Sequence, residues 1–317
     1  MIEAIGLTKR YGDKTAVEDM SFTIRPGIVT GFLGPNGSGK STTMRMILGL
    51  DAPTSGTVTV NGRTYADLPA PLHELGALLE ARAVHTSRSA TDHLRAMAAT
   101  TGISRARVEE VIDMVGLREV ATTRVGAFSL GMGQRLGIAS ALLGDPETVM
   151  LDEPVNGLDP DGIRWIRTLL RELAAEGRTV FLSSHMMSEM ELTADHLIVI
   201  GGGRLVRDIS MSEFIAEASA KSVHVRSPQA TELRDLLLGP NVTVTSAKRG
   251  SLSVKGLSTD EIGARAAAAG ITLAELSPVM ASLEEAFMAI TKDAVEYRAT
   301  GRSTEPSVTN DLSRSAA

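Results

Sequence analysis

The alternation of apolar and polar positions predicts a series of short strands separated by turns and longer helices. Ile28 to Leu33 is an apolar run that leads straight into a glycine cluster, which is typical of a buried strand ending in a loop. Beyond that cluster, Met44, Ile47 and Leu48 recur at helical spacing, so the pattern indicates strand, glycine-rich loop and helix in that order. The alternating segment from Thr57 to Gly62 ends in Asn-Gly, which predicts a β-hairpin.

The middle of the chain combines a long helical stretch with two further strands. From about Ser89 to Leu143 the apolar residues fall at helical spacing, which predicts a helical insertion. Val149 to Leu151 and Val180 to Leu182 are short apolar runs of the kind that form buried strands. Asp159 and Pro160 supply the N-cap and first turn of a helix between them. A strand, a helix and a strand at these lengths imply a parallel sheet with helices on both faces.

The texture of the chain changes after residue 221. Short segments there alternate like half-exposed strands, and capping boxes that begin at Ser258 and Ser282 predict helices among them. These features predict a second, small α/β unit. The residues that follow are polar and lack periodicity, which predicts a disordered tail. We therefore expect a domain over residues 1–220 with a helical subdomain at about 84–144, an accessory domain over 221–290 and a tail over 291–317.

Composition and charge exclude several classes of protein. The 317 residues carry a formal net charge of −6, so no global basic field is present to hold nucleic acid or an anionic membrane surface. The absence of cysteine excludes disulfides, thiol nucleophiles and cysteine-ligated metals. No apolar run approaches the roughly 18 residues that cross a bilayer, and the N-terminus lacks a secretory signal. We expect a cytoplasmic protein without direct membrane insertion, which reaches a membrane only through a partner.

The glycine cluster after the first buried strand carries the clearest chemical signal. Residues Gly34 to Ser41 match G-x-x-x-x-G-K-[ST] between a predicted strand and a predicted helix, as a phosphate-binding loop requires. The glycines let successive backbone N–H groups point at phosphate oxygens. We expect Lys40 to reach the terminal phosphates of ATP and the Ser41 hydroxyl to ligate Mg²⁺. A flexible loop before an ordinary helix is the alternative, and the complete match with its flanks argues against it.

Two acidic residues end the next predicted strand of the sheet. Asp152 and Glu153 follow Val149 to Leu151, which brings their carboxylates to the carboxyl edge of a parallel sheet, beside the phosphate-binding loop. Asp152 is expected to hold Mg²⁺ directly or through water, and Glu153 to polarise the attacking water. Two acids that merely begin a solvated loop are the alternative, which the neighbouring phosphate loop disfavours.

A third motif precedes a strongly helical segment. Residues 128–135 read Phe-Ser-Leu-Gly-Met-Gly-Gln-Arg. The order of the motifs over roughly residues 1–210 resembles the nucleotide-binding subunit of an ATP-binding cassette (ABC) transporter, whose signature L-S-G-G-Q opens a helix that contacts the γ-phosphate bound by the other subunit. Phe128, Leu130 and Met132 depart from that signature, and Ser129 and Gly131 match it. The resemblance implies that the matching pair contacts nucleotide.

The resemblance implies further residues of the site. Tyr11 resembles the aromatic that stacks on adenine, and Glu80 stands where the family usually has a glutamine that senses Mg²⁺ and the membrane subunit. Asp159 lies in a segment that resembles the loop between two nucleotide-binding subunits, and His185 resembles the switch histidine that contacts the γ-phosphate. The implied catalytic residues are Glu153 and His185; the implied Mg²⁺ residues are Ser41, Asp152 and Glu80; the implied nucleotide-binding residues are Tyr11, Gly34, Asn36, Gly37, Ser38, Gly39, Lys40, Ser41, Thr42, Ser129, Gly131 and Asp159.

The implied fold is an α/β P-loop NTPase cassette of the ABC type, with a RecA-like parallel sheet core, an antiparallel β subdomain, a helical signature subdomain and a small C-terminal α/β domain. The implied activity is Mg-ATP hydrolysis by a homodimer that energises export through a separate membrane permease, with the chain peripheral on the inner face of the cell membrane. The S-L-G-M signature, Glu80 and the C-terminal unit resemble cassettes of type-2 exporters, including antibiotic-resistance exporters. A soluble ABC ATPase without a transport role and an ATP-dependent regulatory protein remain as alternatives.

Overall fold

The strands lie in three sheets. The computed structural model describes residues 1–80, 83–219, 222–279 and 282–291. The strands, in chain order, are β1 (Ile2–Tyr11), β2 (Lys14–Ile24), β3 (Val29–Leu33), β4 (Ser55–Val60), β5 (Leu75–Leu78), β6 (Thr148–Asp152), β7 (Thr179–Ser183), β8 (His196–Gly201), β9 (Arg204–Ser210), β10 (Ser222–Arg226), β11 (Thr243–Lys248), β12 (Ser251–Lys255) and β13 (Glu275–Pro278).

The helices connect and cover these sheets. In chain order they are α1 (Lys40–Ile47), α2 (Pro71–Glu74), α3 (Ala90–Thr101), α4 (Arg105–Met114), α5 (Leu130–Leu142), α6 (Pro160–Ala175), α7 (Met187–Thr193), α8 (Met211–Ser219), α9 (Ala230–Leu237), α10 (Thr259–Ala268) and α11 (Leu283–Thr291), with short 3₁₀ turns at Tyr65–Asp67, Arg118–Val120 and Val125–Ala127.

A six-stranded sheet in the order β5-β6-β7-β3-β8-β9 forms the centre of the cassette. The pairs from β5 through β8 are parallel, and β9 returns antiparallel beside β8 as an edge hairpin. The central strands β3 and β7 are buried throughout, because helices and a second sheet cover both faces. The parallel register brings the ends of β3, β6 and β7 to one edge, as the sequence predicts.

A three-stranded antiparallel sheet, β2-β1-β4, packs against one face of the central sheet. Phe22 of the small sheet and Phe32 and Phe181 of the central sheet form a ring cluster, with centroid distances of 6.2 and 5.1 Å between neighbours. This arrangement confirms the predicted antiparallel subdomain beside a parallel core. It also brings β1 and β2 alongside the loop that follows β3.

Helices α3, α4 and α5 form the helical subdomain between β5 and β6. Each begins at a serine, Ser89, Ser104 or Ser129, whose side-chain oxygen accepts a hydrogen bond from a backbone N–H of the first turn. Their apolar faces join the core on the other side of the central sheet. The N-terminus of α5, which carries the S-L-G-M segment, is therefore fixed by its own cap and by packing.

Residues 222–279 fold as a separate unit with its own core. The sheet order β11-β12-β10-β13, with α9 and α10 on one face, is the arrangement of a split β-α-β unit of the ferredoxin-like type. Val223, Val225 and Val254 point to the helices. The opposite face carries polar side chains such as His224 and Ser253. The expected small α/β unit is therefore present.

Helix α11 follows this unit and packs back onto the cassette. Leu283, Ala286 and Phe287 are buried in the core that also contains Met190 of α7 and Phe214 of α8. The sequence predicts that this helix belongs to the accessory domain at 221–290, because its capping box and spacing do not reveal which core its apolar face contacts. The proposed tail lies almost wholly outside the described residues, which end at 291.

Candidate functional site

The loop between β3 and α1 packs closely against itself and against the neighbouring strands. A Cβ at Gly34 would lie 2.5 Å from Ser38 Oγ and 2.6 Å from the Ile200 carbonyl oxygen, so only glycine fits there. Gly39 has φ of 104° and would place a Cβ 2.6 Å from the Ala16 carbonyl oxygen. The predicted glycine-rich loop is thus held between β8 and β2.

Lys40 points back into this loop from the first position of α1. Its Nζ donates to the carbonyl oxygens of Gly34 at 2.5 Å and Pro35 at 3.3 Å. Burial lowers the pKa of Lys40, and the carboxylates of Glu153 and Asp152 act in the opposite direction. Among the described residues, the hydrogen-bond partners of this buried ammonium group are carbonyl oxygens, and such a group is suited to an anionic ligand in the same loop.

The buried hydroxyl of Ser38 supports the same fit. Within the described part of the chain its Oγ has no hydrogen-bond partner. Buried polar groups are costly when unpaired, and a phosphate oxygen is a strong acceptor for a hydroxyl. The loop therefore offers a donor, a cation and backbone N–H groups, which fits a nucleotide phosphate.

Ser41 and Asp152 meet across the end of the sheet. Ser41 Oγ donates to Asp152 Oδ2 at 3.2 Å, and the hydroxyl of Ser183 donates to Asp152 Oδ1. Asp152 lies directly opposite Ser183 in the parallel register of β6 and β7. Among the described residues no group of three or more His, Asp or Glu forms a metal cage. A hard cation here would take its remaining oxygens from phosphates and water, as Mg²⁺ commonly does.

Glu153 begins the β6–α6 loop, which we define as residues 153–159. Its backbone has φ of 51°, and its N–H donates to the carbonyl oxygen and to the hydroxyl of Ser183 at 3.2 and 3.3 Å. Its carboxylate Oε2 lies 2.7 Å from His185 Nδ1 and accepts from the His185 backbone N–H at 3.3 Å. The turn away from the strand thus orients the Glu153 side chain towards His185.

A cavity of about 390 Å³ connects these groups. Its lining draws on the phosphate loop, the ends of β1 and β2, and the two acids after β6. The lining residues are Tyr11, Lys14, Ala16, Asn36, Gly37, Gly39, Lys40, Ser41, Thr42, Asp152 and Glu153.

Tyr11 lies at one end of this cavity, on the last residue of β1. Its hydroxyl donates to Asp51 Oδ2 at 2.9 Å, and the Lys9 ammonium lies 4.9 Å from the ring centroid. Burial, followed by the hydrogen bond to Asp51, raises the pKa of Tyr11. Asp51 in turn accepts from Arg45 Nε at 2.7 Å, so the ring is connected to the end of α1. The half-exposed ring is therefore held in place and accessible.

Besides Gly34, Ser38 and His185, four sequence-predicted residues do not line the cavity. Ser129 caps α5 and accepts from Met132 N–H at 3.2 Å, and Asp159 caps α6 and accepts from Gly162 N–H at 2.9 Å. Gly131 lies in the first turn of α5. Glu80 follows β5 at an exposed position. Within a single chain, these four residues therefore do not contribute to the lining of the cavity.

Two further residues, Gln134 and Ser183, contact the acidic residues after β6, and local sequence patterns do not predict their roles. Gln134 is buried on α5, and its Nε2 donates to the backbone carbonyl oxygen of Glu153 at 3.1 Å. A glutamine at a core-facing position of an otherwise apolar helix is a signal that its amide has a partner. The contacts that Ser183 makes with Asp152 and Glu153 depend on strand order, which local patterns do not contain.

Comparison with known proteins identifies the class. Residues 17–156 match the family model described as ABC transporter, and residues 221–284 match a model described as a domain of unknown function. A solved ATP-binding subunit of an ABC transporter aligns at 28% identity with a TM-score of 0.63, covering 68% of this chain and 92% of that one. A dimeric bacterial ABC transporter cassette aligns at 26% identity with a TM-score of 0.62, covering 67% and 99%. The fold is a P-loop ABC-type ATPase.

Curated relatives agree with this class. The bacitracin transport ATP-binding protein BcrA of Bacillus licheniformis is 42% identical over 66% of this chain and 69% of its own length. The uncharacterized ABC transporter ATP-binding protein YhcH of Bacillus subtilis is 37% identical over 93% and 97%. The chain belongs to the family of ATP-binding subunits of ABC transporters and is an ATP hydrolase that energises transport. In the described part of the chain, no helix has the length and apolar character needed to span a membrane.

Proposed function

We propose that two copies of this chain bind two Mg-ATP molecules and drive export of a peptide antibiotic or related drug through a separate membrane permease. The observation that carries the proposal is the convergence of Lys40, Ser41, Asp152 and Glu153 on one cavity with Tyr11 at its end. That set provides a base-stacking ring, phosphate ligands and carboxylates in the order in which adenine, phosphates and attacking water follow one another in an ATP complex.

The phosphate loop binds the nucleotide. Its backbone N–H groups and the Ser38 hydroxyl donate to phosphate oxygens, and Lys40 exchanges its carbonyl partners for the terminal phosphates. Asn36 and Thr42 line the same cavity. Tyr11 offers its accessible face to adenine while Asp51 holds its hydroxyl.

Ser41 and Asp152 would hold a magnesium ion. Their oxygens already lie within hydrogen-bond distance of each other at the mouth of the loop. A bound Mg²⁺ would neutralise negative charge on the phosphates. Glu153 then accepts a proton from the water that attacks the γ-phosphate, and His185 orients the Glu153 carboxylate through the contact at 2.7 Å.

The residues outside the cavity support a homodimer. Ser129 and Gly131 lie at the positive N-terminal end of α5, which favours an anion, and they do not line the cavity of their own chain. A second copy that presents this helix end to the γ-phosphate, with Asp159 in the β6–α6 loop between the subunits, completes each site. The solved dimeric cassette is a precedent for such an arrangement.

Glu80 is proposed to contact the permease. It is exposed, follows the edge strand β5 and lies next to the helical subdomain in sequence. Coupling at this point holds the subunit at the inner face of the cell membrane. The proposal of a peptide antibiotic as substrate takes its support from relatives named for transport of bacitracin and of a lantibiotic, the latter 36% identical to this chain.

The test is ATP-dependent export with a matched pair of lysine variants. The chain is co-expressed with a candidate membrane permease, and phosphate release and uptake of bacitracin into inverted vesicles are measured. Lys40→Ala is expected to abolish both, and Lys255→Ala, on the accessory unit, to leave both unchanged. Full phosphate release by Lys40→Ala refutes the assigned site; ATP hydrolysis without uptake of bacitracin or a lantibiotic refutes the proposed substrate class.

A further inference from the structure

The start of α5 packs closely against the β6–α6 loop. The contact involves Leu130, one of the residues that depart from the ABC signature. A Cβ on Gly157 would lie 2.3 Å from Leu130 Cγ and 2.4 Å from Leu130 Cδ2. Contacts that short do not occur between real side chains, so the observed position of the Leu130 side chain requires a residue without a Cβ atom at 157. Gly157 thus accommodates a leucine that stands where the ABC signature has glycine.

Backbone conformation alone does not account for glycine at this position. Gly157 has φ of 76°, yet the chain uses side-chain-bearing residues at other positive-φ positions, including Asn61 at 49° and Asn241 at 66°. Asparagine tolerates the left-handed region through local hydrogen bonds. At position 157 any such residue would collide with Leu130, so the steric contact is the stronger constraint.

Two further contacts lie on the same face of α5. A Cβ on Gly131 would approach the Gly157 carbonyl oxygen to 2.8 Å, so the helix backbone and loop backbone lie close together. One turn later, Gln134 Nε2 donates to the Glu153 carbonyl oxygen at 3.1 Å. Positions 130, 131 and 134 share a helix face, and they contact the loop at its middle and at its catalytic end.

We propose that Leu130 and Gly157 are a size-matched pair that positions the signature helix on the loop that carries Glu153 and Asp159. The pair acts on ATP hydrolysis through the position of the loop rather than on the nucleotide, and Leu130 contributes through its size relative to the residue at 157. Its side chain is 47% exposed, so burial of apolar surface does not by itself explain its presence. The inference rests on the proposed function in one respect, that Glu153 and the signature residues serve hydrolysis.

The experiment is a double-mutant cycle on the full chain. Gly157→Ala is expected to lower kcat by about tenfold or more, while KM for ATP changes by less than about threefold, because the phosphate loop belongs to a different element. Leu130→Gly removes the three atoms that lie in the path of the new methyl group, Cγ, Cδ2 and Cβ at 3.0 Å, so L130G/G157A is expected to regain most of the lost turnover. Leu130→Ala removes two of the three and is expected to restore less.

Gly102→Ala is the matched control. Gly102 has φ of 73°, close to that of Gly157, and a Cβ there would meet nothing within 4 Å. This variant carries the same left-handed backbone strain without a steric contact, and it is expected to keep the wild-type kcat. The L130G/G157A protein is expected to match it within about threefold.

Three results would overturn the pairing. The first is an unchanged kcat in Gly157→Ala. The second is a kcat in the double variant that equals the product of the separate effects of Leu130→Gly and Gly157→Ala. The third is a fall in the kcat of Gly102→Ala as large as that in Gly157→Ala. Thermal unfolding of each protein without ATP is measured alongside. If Gly157→Ala does not fold, L130G/G157A must fold and hydrolyse ATP, and its failure to do so while Leu130→Gly folds also refutes the pairing.

The outcomes separate this inference from the proposed function. If the wild type hydrolyses ATP and Lys40→Ala does not, the proposed function stands whatever the cycle gives, and multiplicative effects refute the pair alone. If the wild type shows no hydrolysis, the proposed function fails, and the melting temperatures of the four proteins still measure the coupling between positions 130 and 157.

Discussion

The Nδ1 atom of His185 lies 2.7 Å from Oε2 of Glu153, although the two residues belong to different strands' ends and are 32 positions apart in the chain. The backbone N–H of His185 donates to the same oxygen at 3.3 Å. Two groups of one residue therefore hold one carboxylate oxygen, and the other oxygen of Glu153 takes no part in this contact. The geometry favours a carboxylate that is oriented before a substrate arrives.

Glu153→Gln is expected to separate binding from turnover. The amide keeps the size of the side chain but is no longer basic, so phosphate release should fall by about 10²–10⁴-fold, as for loss of a general base. ATP binding should persist, and dimers with bound ATP should accumulate in size-exclusion chromatography. Glu172→Gln, at an exposed position of α6, serves as the control. Near-normal hydrolysis by Glu153→Gln would assign the role of base to another group.

Lys40 gives the site an expected pH dependence. Burial lowers the pKa of its ammonium from the ordinary lysine value of 10.5. The cationic form, which binds phosphate, is therefore lost at a lower pH than for an exposed lysine, and kcat/KM for ATP should fall as the pH rises towards that range. Since kcat/KM reports the free enzyme, kcat at saturating ATP should fall less. A kcat/KM that stays flat or increases across this alkaline range would contradict the expectation.

Glu80→Ala is expected to uncouple hydrolysis from transport. Glu80 does not line the cavity that contains Ser41 and Asp152. The isolated variant should therefore need the same Mg²⁺ concentration for half-maximal phosphate release as the wild type, and transport with the permease should be lost. A raised Mg²⁺ requirement would instead make Glu80 a metal ligand. A variant normal in both respects would mean that Glu80 does not correspond to the family's glutamine.

We expect that the accessory unit can be deleted without loss of cassette stability only if helix α11 is retained. Truncation after residue 219 removes Leu283, Ala286 and Phe287 from the cassette core, and loss of a buried phenylalanine alone costs about 3–5 kcal/mol. Replacement of residues 222–279 by a short glycine-serine linker keeps this packing. We expect the internal deletion to fold and bind ATP in calorimetry, and the truncation to melt at a lower temperature. Loss of ATP binding in a folded internal deletion would assign the accessory unit to the ATP site.

Local patterns were sufficient for the parts of the site that lie within one segment. The phosphate loop needs glycines at fixed spacing, and the acids after β6 need only the end of a buried strand, so both were readable from the sequence. The Asn61-Gly62 turn also forms as the sequence predicts, with an antiparallel bridge between Val60 and Arg63 and positive φ at both central residues. The second strand of that hairpin does not extend beyond the bridge, and β4 pairs with β1 instead.

The remaining relationships depend on which distant segments meet. Nothing near Leu130 reveals that its side chain lies over Gly157, because the size of each is meaningful only once α5 and the β6–α6 loop are neighbours. In the same way, the apolar face of α11 fits any aliphatic core, and only the tertiary structure shows that it packs with Phe214. Steric contacts between segments that are distant in the sequence are therefore the features that the sequence does not predict.

The accessory unit joins the cassette in an unusual mechanical relationship. Val223 of its first strand lies opposite Pro278 of its last strand, so the chain enters and leaves the unit at neighbouring points. The helices on either side, α8 and α11, pack against each other and against the cassette, and Glu191 of α7 accepts from the Leu283 N–H at 3.0 Å. A force applied to the unit thus passes through two chain connections, one to α8 and one to α11. Because Glu191 binds the start of α11, the second connection leads to α7, the helix that follows His185. The unit is therefore attached to the cassette at both of its ends, and a force that acts on the unit is transmitted to the cassette.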